Sequence, residues 1–332
     1  MMSKTPPPLR WGILGCARIT RRGLIPGIAE SSGSRLVAIG SRDLATAKAW
    51  SEEFQIPRAY GSYEEVIADP EVQAVYIPLP NELHKPWVER AADAGKHVLC
   101  EKPLALDAEE AAEMVAYCKQ RDVILTEAFM WPHQPRVAAI RKLIADGAIG
   151  ELRLIRSSFS FVIDPTDWRL DPARGGGALW DVGCYGVSTA RLFAGSEPTS
   201  IHARAHLSDR GVDLSLAATL EFPGGVLAQI DCSFEQPFRC TYELAGTKGV
   251  IEVPDAYLPP AHPTAIQRIE RGDPLDGESP FTLTFDGRNQ YAAMVDAFAS
   301  SVAATKLVDP AEDGLAQMKV LDALLKLARA AS

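Results

Sequence analysis

From Leu9 to about Ala128, short apolar runs alternate with longer amphipathic stretches, and this alternation constrains the fold more than any other feature of the chain. Short apolar runs bounded by turn residues read as buried strands, and strands that alternate with helical periods build βαβ units around a parallel sheet. The expected strands are Arg10 to Leu14, Arg35 to Gly40, Ala74 to Ile77, His97 to Cys100 and Val123 to Glu127. Between them lie helical stretches at Leu44 to Phe54, Tyr63 to Ala68, Lys85 to Ala94 and Ala108 to Arg121. Asp107 and Glu110 form a capping-box variant at the last of these, and Gly95 suits the C-cap of the helix before it.

A helix from Pro135 to about Ala145, closed by Asp146-Gly147, leads into a different texture. Segments at 151–162, 200–208, 213–222, 226–235, 240–246 and 250–253 are rich in β-branched and alternating residues, with turns such as Pro223-Gly224-Gly225 between them. Strands joined by short turns predict an antiparallel sheet. The Pro-rich stretch from Tyr257 to Pro263 reads as a loop, and helices near 288–304 and 310–330 finish the chain. A chain of 332 residues exceeds the usual size of a single core. The expectation is an α/β fold in two domains: a doubly wound parallel sheet over 1–130, then an α+β domain on a large, open, mainly antiparallel sheet over 131–332.

Composition narrows the partners. Hydrophobic residues make up 47% and charged residues 23%, as in an ordinary globular protein. No apolar run approaches the roughly 18 residues that span a bilayer, and the N-terminus lacks the apolar core of a signal peptide. A formal charge of -9 argues against nucleic-acid and anionic-membrane partners. The six cysteines are scattered and form no Cys-x-x-Cys pair, which predicts reduced thiols, a cytoplasmic location and no metal site. A small-molecule ligand is the remaining class.

The first strand runs into Gly15-Cys16-Ala17-Arg18-Ile19-Thr20, in the place of a dinucleotide fingerprint. That site needs a tight turn, close backbone approach to a pyrophosphate and a helix N-terminus aimed at the anion. Gly15 supplies the turn, Ala17 is nearly as small as the second glycine, and Thr20 replaces the third. Arg18 and Ile19 complete the turn. The second strand ends in Gly40-Ser41-Arg42-Asp43, where an NAD enzyme usually places an acidic residue against the ribose. With Ser41 and Arg42 there instead, a guanidinium is available for a 2′-phosphate, and NADP is favoured over NAD. The alternative makes Arg42 a solvated loop residue and Asp43 the ribose ligand. Pro78 and Leu79 in Ile77-Pro-Leu-Pro-Asn81 shape a floor beneath the dinucleotide, from which Asn81 and His84 can reach ribose or nicotinamide, or else cap the next helix.

Val98-Leu-Cys-Glu-Lys-Pro103 ends an apolar run in a carboxylate, an amine and a proline. Ligands collect at the carboxyl ends of parallel strands, so Glu101 and Lys102 are expected at the site. In Gly175-Gly-Gly-Ala-Leu-Trp-Asp-Val-Gly-Cys-Tyr185, the spacing places Asp181 and Tyr185 on one helical face. A phenol is a poor acid or base at neutral pH unless an ammonium stabilises its anion. Lys102, Asp181 and Tyr185 together make a proton relay. Phe129, Trp131, Trp168 and Arg169 are candidates to line a sugar pocket.

The Gly-x-Ala turn, Pro-Leu-Pro-Asn, Glu-Lys-Pro, Thr126-Glu-Ala-Phe-Met-Trp131 and the Gly-Gly-Gly helix together resemble the Gfo/Idh/MocA oxidoreductases, in order and over nearly the whole chain. Tyr185 stands where inositol dehydrogenases of that family carry histidine. In this it resembles the branch of NADP-dependent D-xylose dehydrogenase, dimeric dihydrodiol dehydrogenase, 1,5-anhydrofructose reductase and glucose-fructose oxidoreductase. Thr20 is the main departure. The resemblance implies a Rossmann domain, hydride transfer between NADP and a hydroxyl or carbonyl carbon of a sugar or polyol, and a homodimer or homotetramer built through the C-terminal sheet. Two other readings share the fold: an NAD-dependent glycoside hydrolase and a non-catalytic nucleotide sensor.

Overall fold

The computed structural model describes residues 7–259, 265–271, 281–285, 288–304 and 311–330. The chain divides into two compact units, Met1–His133 with Asn289–Met318, and Gln134–Arg288 with Lys319–Ser332.

Among the described residues of the first unit, six strands form one sheet: β1 (Leu9–Leu14), β2 (Ser34–Gly40), β3 (Arg58–Tyr60), β4 (Ala74–Ile77), β5 (His97–Glu101) and β6 (Leu125–Ala128). All pair in parallel, in the order β3-β2-β1-β4-β5-β6. The order reverses between β1 and β4, the point where such sheets bind ligands. Trp11, Ile13, Leu14, Ile39, Tyr76 and Ile77 have almost no exposure. A sheet covered on both faces explains why these strands read as unbroken apolar runs, and each fully buried Leu or Ile contributes about 1.5–3 kcal/mol.

Helices α1 (Ile25–Glu30), α2 (Leu44–Phe54), α3 (Tyr63–Ala68), α4 (His84–Asp93) and α5 (Ala108–Gln120) connect the strands. Their starts are written locally. Asp107 accepts from the Glu110 N–H at 2.8 Å while Glu110 reaches back to the Leu106 N–H at 2.7 Å, so the box closes one residue earlier than the usual form. Gly95 has φ +67°, as a C-cap glycine should. The strand β3 is not among the expected ones, because its three half-buried residues carry no apolar run.

The second unit opens with α6 (Pro135–Ala145). Its sheet comprises β7 (Leu152–Ser160), β8 (Ser200–Leu207), β9 (Asp213–Glu221), β10 (Leu227–Ser233), β11 (Arg239–Gly246), β12 (Gly249–Val253), β13 (Ala265–Arg271) and β14 (Phe281–Phe285), in the order β14-β13-β12-β11-β7-β10-β9-β8. Neighbours are antiparallel except β7 and β10, which run parallel. The helix α7 (Cys184–Ala194) packs on β7 and β10. The expected loop at Tyr257 to Pro263 lies outside the described residues from 260 on.

The other face of this sheet carries Arg156, Ser158, His202, Arg204, Ala217, Thr219, Gln229 and Asp231. A sheet face that helices leave uncovered calls for a partner where it is apolar. Over β7 to β11 that face is instead mainly polar and cross-linked by pairs such as Arg156 with Glu243 at 3.2 Å.

Two helices close the chain, α8 (Gln290–Ala304) and α9 (Ala311–Ala330). The expected division at residue 130 does not contain the return of 289–318 to the first unit. That return has a packing cause: α8 lies on α1 and the turn before it, where Gly27 and Gly23 leave room for Tyr291. No helix among the described residues is long and apolar enough to cross a membrane.

Candidate functional site

In the first unit, β1 runs directly into Gly15, whose φ of +124° only glycine adopts readily. A β-carbon there would meet Leu79 Cδ2 at 3.2 Å and Tyr63 Oη at 3.6 Å, so the missing side chain keeps a cradle open above the strand end. Ala17 and Ile19 are half-buried and Arg18 is exposed. The chain enters its helix through a π turn, Thr20–Leu24, continuous with α1. Such turns are rare and recur at functional sites. Thr20 is fully buried, and its hydroxyl has no partner among the described residues. The close approach that a third glycine gives is moved along the helix. A β-carbon on Gly23 would fall 2.5 Å from the Tyr291 ring, and one on Gly27 2.8 Å from the Tyr291 backbone. The Gly-x-x-x-Gly spacing was the sequence signal for this contact.

At the end of β2, Asp43 is the N-cap of α2 and accepts from Ala45 N at 3.1 Å, Thr46 N at 3.2 Å and Thr46 Oγ1 at 2.6 Å. These bonds hold its carboxyl below the usual range. Three of the carboxylate's roughly four acceptor sites thus serve the cap, which weighs against the alternative in which Asp43 binds ribose. Ser41 Oγ accepts from Asp43 N at 3.2 Å. Arg42 is exposed and lies against the phenol of Tyr63. The Tyr63 ring packs edge-on against Trp87 at 4.9 Å, and Arg90 lies 4.6 Å from the Trp87 ring. Tyr63 was not among the expected site residues, although Ser62 and Glu65 form a capping box that places it in the first helical turn.

Beyond β4, Pro78 is buried and Leu79 half-buried, and Asn81 opens a short 3-10 turn. His84 does not reach toward a cofactor. It has no exposure, its Nε2 faces the Leu79 carbonyl at 2.8 Å, and its Nδ1 faces those of Pro103 and Leu104 at 3.1 and 3.2 Å. Burial lowers its pKa. Its work is to tie the loop after β4 to the loop after β5. Glu101 is buried under the Tyr76 hydroxyl and accepts from the Lys102 N–H at 3.3 Å. Lys102, half-buried, follows at the carboxyl end of β5, and its peptide to Pro103 is cis. Trp131 is fully buried and Phe129 nearly so. Trp131 is thus a core residue, since a side chain with no exposed surface cannot line a sugar pocket.

In the second unit the glycine run has a distinct cause at each position. Gly175 has φ +72° and closes the turn Pro172–Arg174. A β-carbon on Gly176 would overlap the Arg169 carbonyl, and one on Gly177 the Asp213 carboxylate. Leu179–Gly183 is a second π turn and runs into α7. Asp181 lies in the π turn and Tyr185 at the start of α7. Arg169 Nε stands 3.1 Å from Asp181 Oδ1, and Arg169 Nη1 3.2 Å from Asp167 Oδ1. Burial works against the guanidinium's charge, but the two carboxylates outweigh it and hold its pKa above the ordinary value. Trp168 packs on the same guanidinium, 4.8 Å from ring to cation.

The Tyr185 ring sits among aromatics that had not been expected at the site: Phe159 at 5.2 Å and Tyr257 at 4.8 Å. Tyr257 Oη is 2.7 Å from both Ser157 Oγ and Thr189 Oγ1, and Thr189 donates to the Tyr185 carbonyl at 2.8 Å. These bonds brace the helix against the sheet. Phe238, more than half exposed, packs edge-on against Phe159. The structure thus groups Trp168, Arg169, Asp181 and Tyr185 in one unit, and gathers the turn at Gly15 and the ends of β2, β4 and β5 in the other. Among the described residues no His, Cys, Asp or Glu cluster has metal-binding geometry.

Comparison with known proteins agrees with this architecture. Residues 9–129 match the oxidoreductase family with an NAD-binding Rossmann fold, and residues 137–252 match the GFO/IDH/MocA C-terminal domain. The chain is 40% identical to D-xylose 1-dehydrogenase (NADP(+)) 2 of Haloferax volcanii, over 96% of this chain and 97% of that one. It superposes with a TM-score of 0.89 and 34% identity on a 3-ketoreductase from Actinomadura kijaniata in complex with NADP and TDP-benzene, covering 96% of this chain and 97% of that one. An aldose-aldose oxidoreductase from Caulobacter crescentus, complexed with glycerol, gives 0.89 and 31%, with 98% of each chain covered. The chain belongs to the GFO/IDH/MocA oxidoreductase family.

Proposed function

We propose that this protein transfers a hydride between NADP and a hydroxyl-bearing carbon of a sugar or related polyol. The observation that carries the reading is Tyr185, packed against Phe159 and Tyr257 at the start of α7, with Asp181 of the preceding π turn paired with Arg169. A phenol beside a charged pair and an aromatic wall suits a polyhydroxylated substrate with one reacting C–H bond. The relatives described above are dehydrogenases, reductases and oxidoreductases, which favours net hydride transfer over glycoside hydrolysis or a sensor role.

The cofactor reading rests on the cradle at Gly15 and on Arg42, which is left as the residue for a 2′-phosphate once Asp43 is taken up by its cap. Gly15, Ala17, Arg18, Ile19, Ser41, Arg42, Pro78, Leu79, Asn81, Glu101 and Lys102 would hold NADP, which when bound accepts or supplies the hydride at its nicotinamide. Tyr185 exchanges the substrate hydroxyl proton. Lys102, directly after β5, supplies a cation for the substrate oxygen. Asp181 and Arg169 present a charged pair to the remaining hydroxyls, with Trp168 and Phe129 as further contacts. The reading extends to a cytoplasmic homodimer or homotetramer formed through the outer face of the eight-stranded sheet.

The test is nicotinamide absorbance with purified protein, NADP or NAD, and a panel of aldoses, inositols and trans-dihydrodiols. D-xylose with NADP is expected to yield NADPH. Lys102→Met and Tyr185→Phe should each lower turnover by about 10²–10⁴-fold if they do acid/base work. Wild-type turnover in both would sink the assignment.

A further inference from the structure

The helix that carries Asp181 and Tyr185 begins against a carboxylate that the proposed chemistry does not use. Asp213, the first residue of β9, has no exposure. Its Oδ2 accepts from the Leu179 N–H at 2.6 Å, and its Oδ1 has no hydrogen-bond partner among the described residues. Leu179 is the first residue of the π turn that leads into α7. The residue before it, Ala178, has no side chain with which to cap, so the cap comes from a strand instead. Gly177, with φ +138°, is shaped around the same group, because any β-carbon there would overlap Oδ1.

A carboxylate without solvent is an expensive way to cap a helix. Burial pushes the Asp213 carboxyl up to about 6. The helix N–H groups and Arg329 of α9 act in the opposite direction, while the Cys232 thiol of β10 is buried beside it. A serine or asparagine cap in the chain's own preceding turn would satisfy N–H groups at a helix start without burying a charge. What a local cap cannot do is fix the helix start to a particular strand of the sheet.

We propose that Asp213 is a positioning residue for the reaction: by holding the Leu179 N–H from β9, it sets where the helix begins on the sheet, and so where Asp181 and Tyr185 stand against the substrate. It touches neither substrate nor cofactor. The inference rests on the reading of Tyr185 as the proton-exchanging group. Displacements of about 1 Å at a reacting group can cost about 10²-fold in rate, and groups that reach the chemistry only through others act by preventing such displacements.

The experiment compares Asp213→Ala, Asp213→Asn and Tyr185→Phe in the full-length protein, with NADP and the panel aldose that the wild type oxidises fastest. It reads kcat and KM per mole of folded enzyme. Asp213→Ala should lower kcat about 10–100-fold while KM for aldose and NADP stays within about threefold. Asp213→Asn keeps a carbonyl acceptor for the Leu179 N–H and should recover kcat to within about threefold of wild type. Wild-type kcat in Asp213→Ala, or a loss confined to KM or Tm, overturns the proposal, as does an Asn variant as slow as the Ala variant. Should Asp213→Ala fail to fold, Asp213→Ser shortens the acceptor but keeps a hydroxyl. A several-fold loss in kcat is then expected, and an unchanged kcat overturns the proposal. Tyr185→Phe with wild-type turnover removes the reading of Tyr185 and this inference with it. A slow Tyr185→Phe beside a fully active Asp213→Ala removes this inference alone.

Discussion

Arg42 and Asp43 are neighbours with opposite charges, and the structure gives them unrelated work. Asp43 spends its oxygens on three donors of the helix it starts, so the ribose side of the strand end is left to Arg42 and Ser41. A guanidinium paired with a phosphate contributes a charge-assisted interaction of about 1.5–3 kcal/mol. Arg42→Ala is therefore expected to raise KM for NADP about 10–100-fold and to move KM for NAD by less than about threefold, measured by initial rates with each cofactor. Equal losses with both would mean that Arg42 does not contact the 2′-phosphate. Residue spacing alone left the choice between Arg42 and Asp43 open, because a cap and a ribose ligand draw on the same side-chain chemistry. His84 and Trp131 show the same limit. Both were legible as residues near the site, yet carbonyl partners occupy one and core packing the other.

At the level of elements, the strands of the parallel sheet were legible because burial on both faces writes them as continuous apolar runs. The strand β3 was not, since it is short and half-buried. Nor was the return of α8, because periodicity shows that a helix has an apolar face without showing what covers it. Gly23 and Gly27 mark the covering partner: Tyr291 fills the space over one, and its own backbone crosses close to the other. A methyl group on Gly27 would press on backbone atoms that cannot rotate away. Gly27→Ala should destabilise the protein by about 1–3 kcal/mol, the range for overpacked sites, even though alanine is the better helix former. Calorimetry checks this, and an unchanged Tm would mean that α8 does not sit on α1 as described.

For the whole molecule, the character of the eight-stranded sheet's outer face decides what kind of assembly it can support. Arg156, His202, Arg204, Gln229 and Asp231 make it a surface whose pairing would be largely electrostatic. Exposed ion pairs weaken as the screening length shrinks from about 8 Å at physiological salt to about 3 Å at 1 M. Light scattering should find a dimer or tetramer in dilute buffer that shifts toward smaller species in about 1 M salt. A monomer at every salt concentration would exclude assembly through this face.

The division of the chain also bears on synthesis. Strands β1 to β6 leave the ribosome first, but Tyr291 and the rest of α8 follow only after the whole of the segment from Gln134 to Arg288 has been made. At ordinary elongation rates that interval is roughly 10 to 30 seconds. For that time the glycine face of the first helix waits uncovered while the second unit is translated, and a nascent chain stalled before residue 289 would present a nucleotide-binding sheet without its final wall.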